Sequence, residues 1–127
     1  MPPETPTLLV YWESVIDDLM ARTGRFPRTL RHSLAGRIDN LALDVLEAII
    51  EARFVREARA ERLARANLGV EKLRVLLRLA HTRRALDTKS LEHLARRLDE
   101  AGRMVGGWLK HERSPSPFME RGPGGEV

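Results

Sequence analysis

The sequence predicts an all-α chain, an antiparallel up-down four-helix bundle, and three observations carry that expectation. Apolar residues recur at spacings of three and four in separate stretches, which puts each set on one side of a helix turning 100° per residue. With 43% apolar residues and 5% aromatic, the composition of this 127-residue chain suits packed helices better than a sheet. The length leaves room for one domain with its own core, expected over residues 1–113.

In chain order, Thr5 before Pro6 reads as an N-cap followed by proline at the first helical position. Leu8, Trp12, Val15, Ile16 and Leu19 then form the apolar stripe of the first helix, and Gly24 is expected at its C′ position. Pro27 starts the second helix in or near its first turn; the short link makes the first two helices antiparallel neighbours. In this helix Leu30, Leu34, Ile38, Leu41, Val45, Ala48 and Ala52 form one row. A second row, Leu43, Leu46, Ile50 and Phe54, lies roughly opposite it. The first row is read as core, the second as a surface that a neighbouring helix or another subunit covers.

No proline interrupts residues 27–84 after Pro27 itself. A single helix of that length would span roughly 87 Å, against a radius of gyration of about 14 Å for a compact domain of this size. The chain therefore turns, and the gap in the apolar row places the turn at Val55 to Ala60. The third helix carries Leu63, Ala66, Val70, Leu73, Leu77 and Ala80 as a heptad-like seam, widened by Val75, Leu76 and Leu79. Asp87 or Thr88 caps a fourth helix, in which Leu91, Leu94, Leu98, Ala101, Val105 and Trp108 repeat the spacing. Glu92 with Arg96 and Asp99 with Arg103 are spaced as i,i+4 pairs. Gly102, Gly106 and Gly107 either let another helix or chain approach near Trp108 or fray the helix end. The Pro-, Gly- and Ser-rich residues 114–127 are expected to be a disordered tail.

Charge is unevenly placed. Residues 1–21 hold four acids and no Lys or Arg, whereas residues 22–113 hold 21 Lys and Arg against 12 Asp and Glu. A strongly basic middle fits contact with a polyanion; 19 of the 22 basic residues being Arg fits equally a surface set by codon usage or heat adaptation.

Catalytic and metal-binding patterns are missing from the sequence. With no cysteine, thiolate ligands, disulfides and a cysteine nucleophile are excluded. None of His32, His81, His93 and His111 follows a glutamate by three residues, as the metal sites of helical bundles require. HExxH, GxxxxGK and GxSxG do not occur. The expectation is a protein that is not an enzyme, with no catalytic residues, no metal and no cofactor. No apolar run reaches the roughly 20 residues of a membrane span, and the N-terminus lacks the pattern of a signal peptide, so no membrane partner and a cytoplasmic location are expected.

Three segments carry a resemblance: residues 26–54, FPRTLRHSLAGRIDNLALDVLEAIIEARF; residues 66–86, ANLGVEKLRVLLRLAHTRRAL; and residues 100–110, EAGRMVGGWLK. They resemble the Avd family, the accessory variability determinant of diversity-generating retroelements, over roughly residues 20–112. The distinctive pieces are Phe26-Pro27, Leu34-Ala35 with Arg37-Ile38, the run Glu51 to Phe54, and Gly102-Arg103-Met104 with Gly106-Gly107-Trp108. The family is grouped with the four-helix-bundle proteins encoded in intervening sequences of bacterial 23S ribosomal RNA genes. The resemblance implies a homopentameric barrel that binds RNA or DNA and associates with the retroelement's reverse transcriptase and its template-repeat RNA or cDNA, supporting mutagenic retrohoming. The alternative is an oligomeric bundle of the intervening-sequence type with a structural or interaction role.

Two surfaces follow as expectations. Leu43, Leu46, Ile50 and Phe54 would hold the oligomer. If the helices alternate in direction, one pole gathers Arg22, Arg25, Arg28, Arg31, Arg78, Arg83, Arg84 and Lys89 against Asp87 alone. The other sets Arg53, Arg56, Arg59, Arg62, Arg65, Lys110 and Arg113 against Glu4, Glu57, Glu61 and Glu112. Net potential assigns most nucleic-acid affinity to Arg25, Arg28, Arg31, Arg83 and Arg84, with Arg53, Arg56 and Arg59 secondary or used for the polymerase.

Overall fold

Four α-helices follow one another in the computed structural model, which describes residues 4–113; the expected tail at 114–127 lies outside the described residues. They are α1 (Glu4–Thr23), α2 (Gly36–Phe54), α3 (Arg59–Thr82) and α4 (Thr88–Arg113), and no strand occurs among the described residues. Cross-helix contacts fix their directions. Trp12 Nε1 donates to Ala42 O at 2.9 Å and Thr23 Oγ1 to Asp39 Oδ1 at 2.7 Å. Arg62 Nε donates to Glu51 Oε1 at 2.6 Å, and Gly69 lies against Val45. Arg74 pairs with Asp99, Arg59 with Glu112, Tyr11 with Arg97 and Asp18 with His93. In every case a later residue on one helix meets an earlier one on its neighbour, so the bundle is antiparallel and α1 closes it against α4.

The core follows the apolar periodicity. Leu63, Ala66, Val70, Leu73, Leu77 and Ala80 of α3 are all buried, as are Leu94, Leu98, Ala101, Val105 and Trp108 of α4. In and before α2, Leu34, Ile38, Val45, Ala48 and Ala52 are buried, joined by Ala42 and Ile49, which the first row omitted. Trp12 is fully buried, and its ring N–H is satisfied by a helical carbonyl that has a spare lone pair.

The helix ends depart from expectation. α1 starts at Glu4, so Thr5 lies inside the helix and not ahead of it. Gly24 does not adopt a positive φ. Instead α1 unwinds through bonds from Gly24 N to Met20 O, Arg25 N to Arg22 O and Phe26 N to Thr23 O, at 3.0, 3.0 and 3.1 Å. This tightening satisfies the last carbonyls without a left-handed residue. Pro27 precedes a 3-10 turn (Arg28–Leu30), which passes into a π-helical turn (Arg31–Ala35) before α2 proper begins at Gly36. The α2–α3 link is Val55 and a 3-10 turn, Arg56–Ala58, within the expected window.

α4 is capped by Asp87, whose Oδ1 accepts from Ser90 N at 2.7 Å. That backbone hydrogen bond holds the Asp87 carboxyl below the usual aspartate value. Of the two expected i,i+4 pairs on α4, neither forms among the described residues: Asp99 reaches across to Arg74 on α3, and Arg103 takes Glu100. α4 remains helical through Gly106 and Gly107, and nothing in the bundle comes within 4 Å of a Cβ placed on either, whereas one on Gly102 would meet Arg74 and Val70.

Candidate nucleic-acid interface

At the pole where α1 and α3 end and α4 begins, Arg25 and Arg28 follow α1, Arg31 opens the π-helical turn, and Arg83 and Arg84 follow α3. All five are exposed, and their guanidiniums make none of the hydrogen bonds or ion pairs found among the described residues. Arg78 and Lys89 are exposed at the same end. Arg22 does not belong with them, because Asp18 engages its guanidinium through an i,i+4 pair.

Arg84 stands out by its backbone. It has φ +63°, the one positive value among the described non-glycine residues. Ala85 N bonds Ala80 O and Arg84 N bonds His81 O, both at 2.9 Å, which is the bonding of a Schellman helix stop with Arg84 at C′. Glycine is the usual residue there, and a residue with a Cβ costs roughly 1–2 kcal/mol in that conformation. Both Arg83 and Arg84 are thereby held on a tight, fully hydrogen-bonded turn.

The opposite pole is different in kind. Arg59 is only 8% exposed. Its Nε donates to Ala52 O at 2.6 Å and Nη2 to Arg53 O at 3.0 Å, closing the C-terminal carbonyls of α2. The guanidinium lies 5.7 Å from the centroid of the Trp108 ring and 3.7 Å from Glu112. Arg59, expected among the secondary nucleic-acid contacts, thus has its donors engaged inside the fold, holding α2, α3 and α4 together. Arg62 is shared between Glu51 and Glu61, and Arg65 takes Glu61 at 2.9 Å. Hydrogen bonding from Arg62 holds Glu61 below its usual range against a smaller opposing effect of desolvation. Arg53 lies 5.3 Å from the Phe54 ring centroid, and Arg56 is exposed without a polar partner among the described residues.

A second polar cluster ties α1 to α4. Asp18 accepts from His93 Nε2 at 2.6 Å and Arg97 Nη1 at 3.1 Å as well as from Arg22. Burial pushes its carboxyl up, and the hydrogen bond from His93, the charge of Arg22 and the hydrogen bond from Arg97 outweigh that, leaving it below the usual aspartate value. Because an ionised carboxylate only accepts, His93 Nε2 is the donor in this contact. This cluster ties α1 to α4 by polar contacts, and among the described residues no group of three metal-ligating side chains occurs.

The outer row of α2 is uncovered within the bundle. Leu43 and Ile50 are each 37% exposed and Phe54 72%, whereas Leu46 is half-buried against the core. α3 carries a companion patch: Val75, read from the sequence as widening the apolar face of that helix, is 53% exposed, and Leu68, one heptad before it and missed by the sequence reading, is 55% exposed. The position of Leu68 outside the core seam was the available signal. No helix among the described residues is long and apolar enough to cross a membrane.

No curated protein matches the chain. A family model described as bAvd-like matches residues 9–112, which takes in all but the first turn of α1 and nearly all of α4. The chain belongs to the bAvd-like family.

Proposed function

We propose that this protein is a non-enzymatic, cytoplasmic accessory subunit of a diversity-generating retroelement. In this reading it binds the template-repeat RNA or its cDNA together with the reverse transcriptase and assembles as a homopentamer. The observation that carries the nucleic-acid part is the contrast between poles. Arg25, Arg28, Arg31, Arg83 and Arg84 stand exposed with their guanidiniums uncommitted, while Arg59, Arg62 and Arg65 are occupied by acids or backbone carbonyls. Guanidiniums without an internal partner are the ones able to displace counterions from phosphates. Membership in the bAvd-like family supports the retroelement setting.

Assembly has a matching rationale. A ring needs two different faces per subunit, one meeting the other on the next copy. The exposed row Leu43, Ile50 and Phe54 on α2 supplies one, and Leu68 with Val75 on α3 supplies the other. Repetition around the ring multiplies the basic pole, which raises the attraction for a long polyanion far beyond that of one bundle.

The test is RNA binding by the full chain across a salt series. Affinity is expected to fall steeply as salt rises, and replacing Arg28, Arg31, Arg83 and Arg84 by Glu is expected to abolish binding while leaving the oligomer intact. Binding indifferent to salt, or lost instead on reversing Arg53 and Arg56, overturns the assignment.

A further inference from the structure

The π-helical turn before α2 borders an open groove whose apolar wall neither the phosphate-binding role nor the oligomer accounts for. Arg31, His32 and Arg37 come from the α2 side and Leu79 and Arg83 from the end of α3, with a volume of about 570 Å³. That falls inside the roughly 300–1,000 Å³ of small-molecule sites. No acidic residue lines it. The neighbouring groove between α2 and α3 differs: there the acids Asp44, Glu47 and Glu51 outnumber the bases Arg65 and Lys72.

The lining is amphipathic. Leu79 is 47% exposed, an apolar surface open to solvent beside the guanidiniums of Arg31, Arg37 and Arg83, which make no hydrogen bond or ion pair among the described residues. His32 is exposed at the same wall. A purely anionic occupant would leave Leu79 wet, and a purely apolar one would bury three cations without partners. An occupant with a flat apolar part and an attached anion satisfies both. Within a nucleic acid only an unpaired nucleotide fits that description, because the faces of paired bases are hidden in the stack. The π turn contributes geometry: Gly36 N bonds Arg31 O, and a Cβ on Gly36 would come within 3.3 Å of that oxygen. The wider turn offsets Arg31 and His32 from the register they would have in a continuous α-helix.

We propose that this groove receives one unpaired nucleotide of the bound strand, its base against Leu79 and His32 and its phosphate on Arg31, Arg37 and Arg83. The inference rests on the nucleic-acid reading above and adds to it a preference for single-stranded or bulged segments.

The experiment measures affinity of the full chain for an unstructured oligoribonucleotide and for a fully paired hairpin of equal nucleotide count, at several salt concentrations. The wild type is expected to favour the unstructured strand. Replacing Leu79→Ser together with His32→Ala, both exposed positions, is expected to weaken that strand about tenfold, the effect of losing one base-stacking surface. Hairpin affinity and its salt slope stay unchanged. Equal binding of both RNAs by the wild type, or equal weakening of both by the variant, overturns the groove while phosphate binding stands. A change of oligomeric state in the variant by light scattering assigns the groove to a second copy and overturns it too. So does polyglutamate displacing the strand as well as an equal charge of RNA does, which would make the occupant an acidic peptide. Absence of binding to either RNA removes both proposals.

Discussion

Gly69 of α3 faces Val45 of α2 so closely that a Cβ on the glycine would overlap Val45 Cγ2. The side chain of Val45 is buried, and a β-branched residue inside a helix has few rotamers to yield into. Helix propensity alone makes Gly69→Ala favourable by about 0.8–1 kcal/mol, while overpacking a filled core costs about 1–3 kcal/mol. The clash is expected to win, so thermal denaturation of Gly69→Ala should show a lower melting temperature; a rise would mean that α2 and α3 separate freely.

Arg59 and the basic pole should separate stability from binding. Arg59→Ala removes two hydrogen bonds to α2 carbonyls and the cover of Trp108. The expected loss is about 2–3 kcal/mol by denaturant titration, in the range for charged hydrogen bonds. RNA affinity should be unchanged under conditions where the variant remains folded. A variant that is fully stable but binds poorly would return Arg59 to the interface.

Arg84→Gly should do the reverse. Releasing the Cβ from the left-handed region is expected to stabilise the fold by about 1 kcal/mol, and loss of the guanidinium should weaken RNA binding. The two measurements moving in opposite directions is the signature; stabilisation with unaltered binding would show that Arg84 is an unused surface residue.

Stability should respond to acid through Asp18. Its folded value is depressed, so its contribution is fully present above about pH 4, the ordinary aspartate value, and is lost as pH falls through the lower folded value. Asp18→Asn should therefore melt lower than the wild type at neutral pH, and the gap should close in strong acid. A gap that is constant down to about pH 2 would mean that the carboxylate's charge is irrelevant.

The outer row of α2 predicts assembly. Ile50→Asp places a charge in a surface that contact would desolvate, and it is expected to convert the oligomer to monomer by light scattering with helicity retained. A wild-type protein that is already monomeric at micromolar concentration ends the ring model.

Most of the secondary structure was legible because burial in a helix imposes a period that survives in one dimension. Leu63, Ala66, Val70, Leu73, Leu77 and Ala80 are spaced by three and four and every one is buried. The turn at Val55 was legible for the same reason, as a gap in that spacing. The charge of the α1/α3/α4 pole could be summed from residue numbers once the helices were taken to alternate.

What the sequence could not separate was one arginine from another. Arg59 lies within the same run of charged residues as Arg56 and Arg62, yet only in three dimensions do the open carbonyls of Ala52 and Arg53 come within its reach. Asp99 likewise chose Arg74 across the bundle over Arg103 on its own helix. The π turn at Arg31–Ala35, the left-handed Arg84 and the Gly69–Val45 contact also arise from helix against helix. Periodicity reports which face of a helix is apolar. Only packing decides which polar group a side chain meets, because that partner comes from another part of the chain and its distance is set by the joint fit of all four helices.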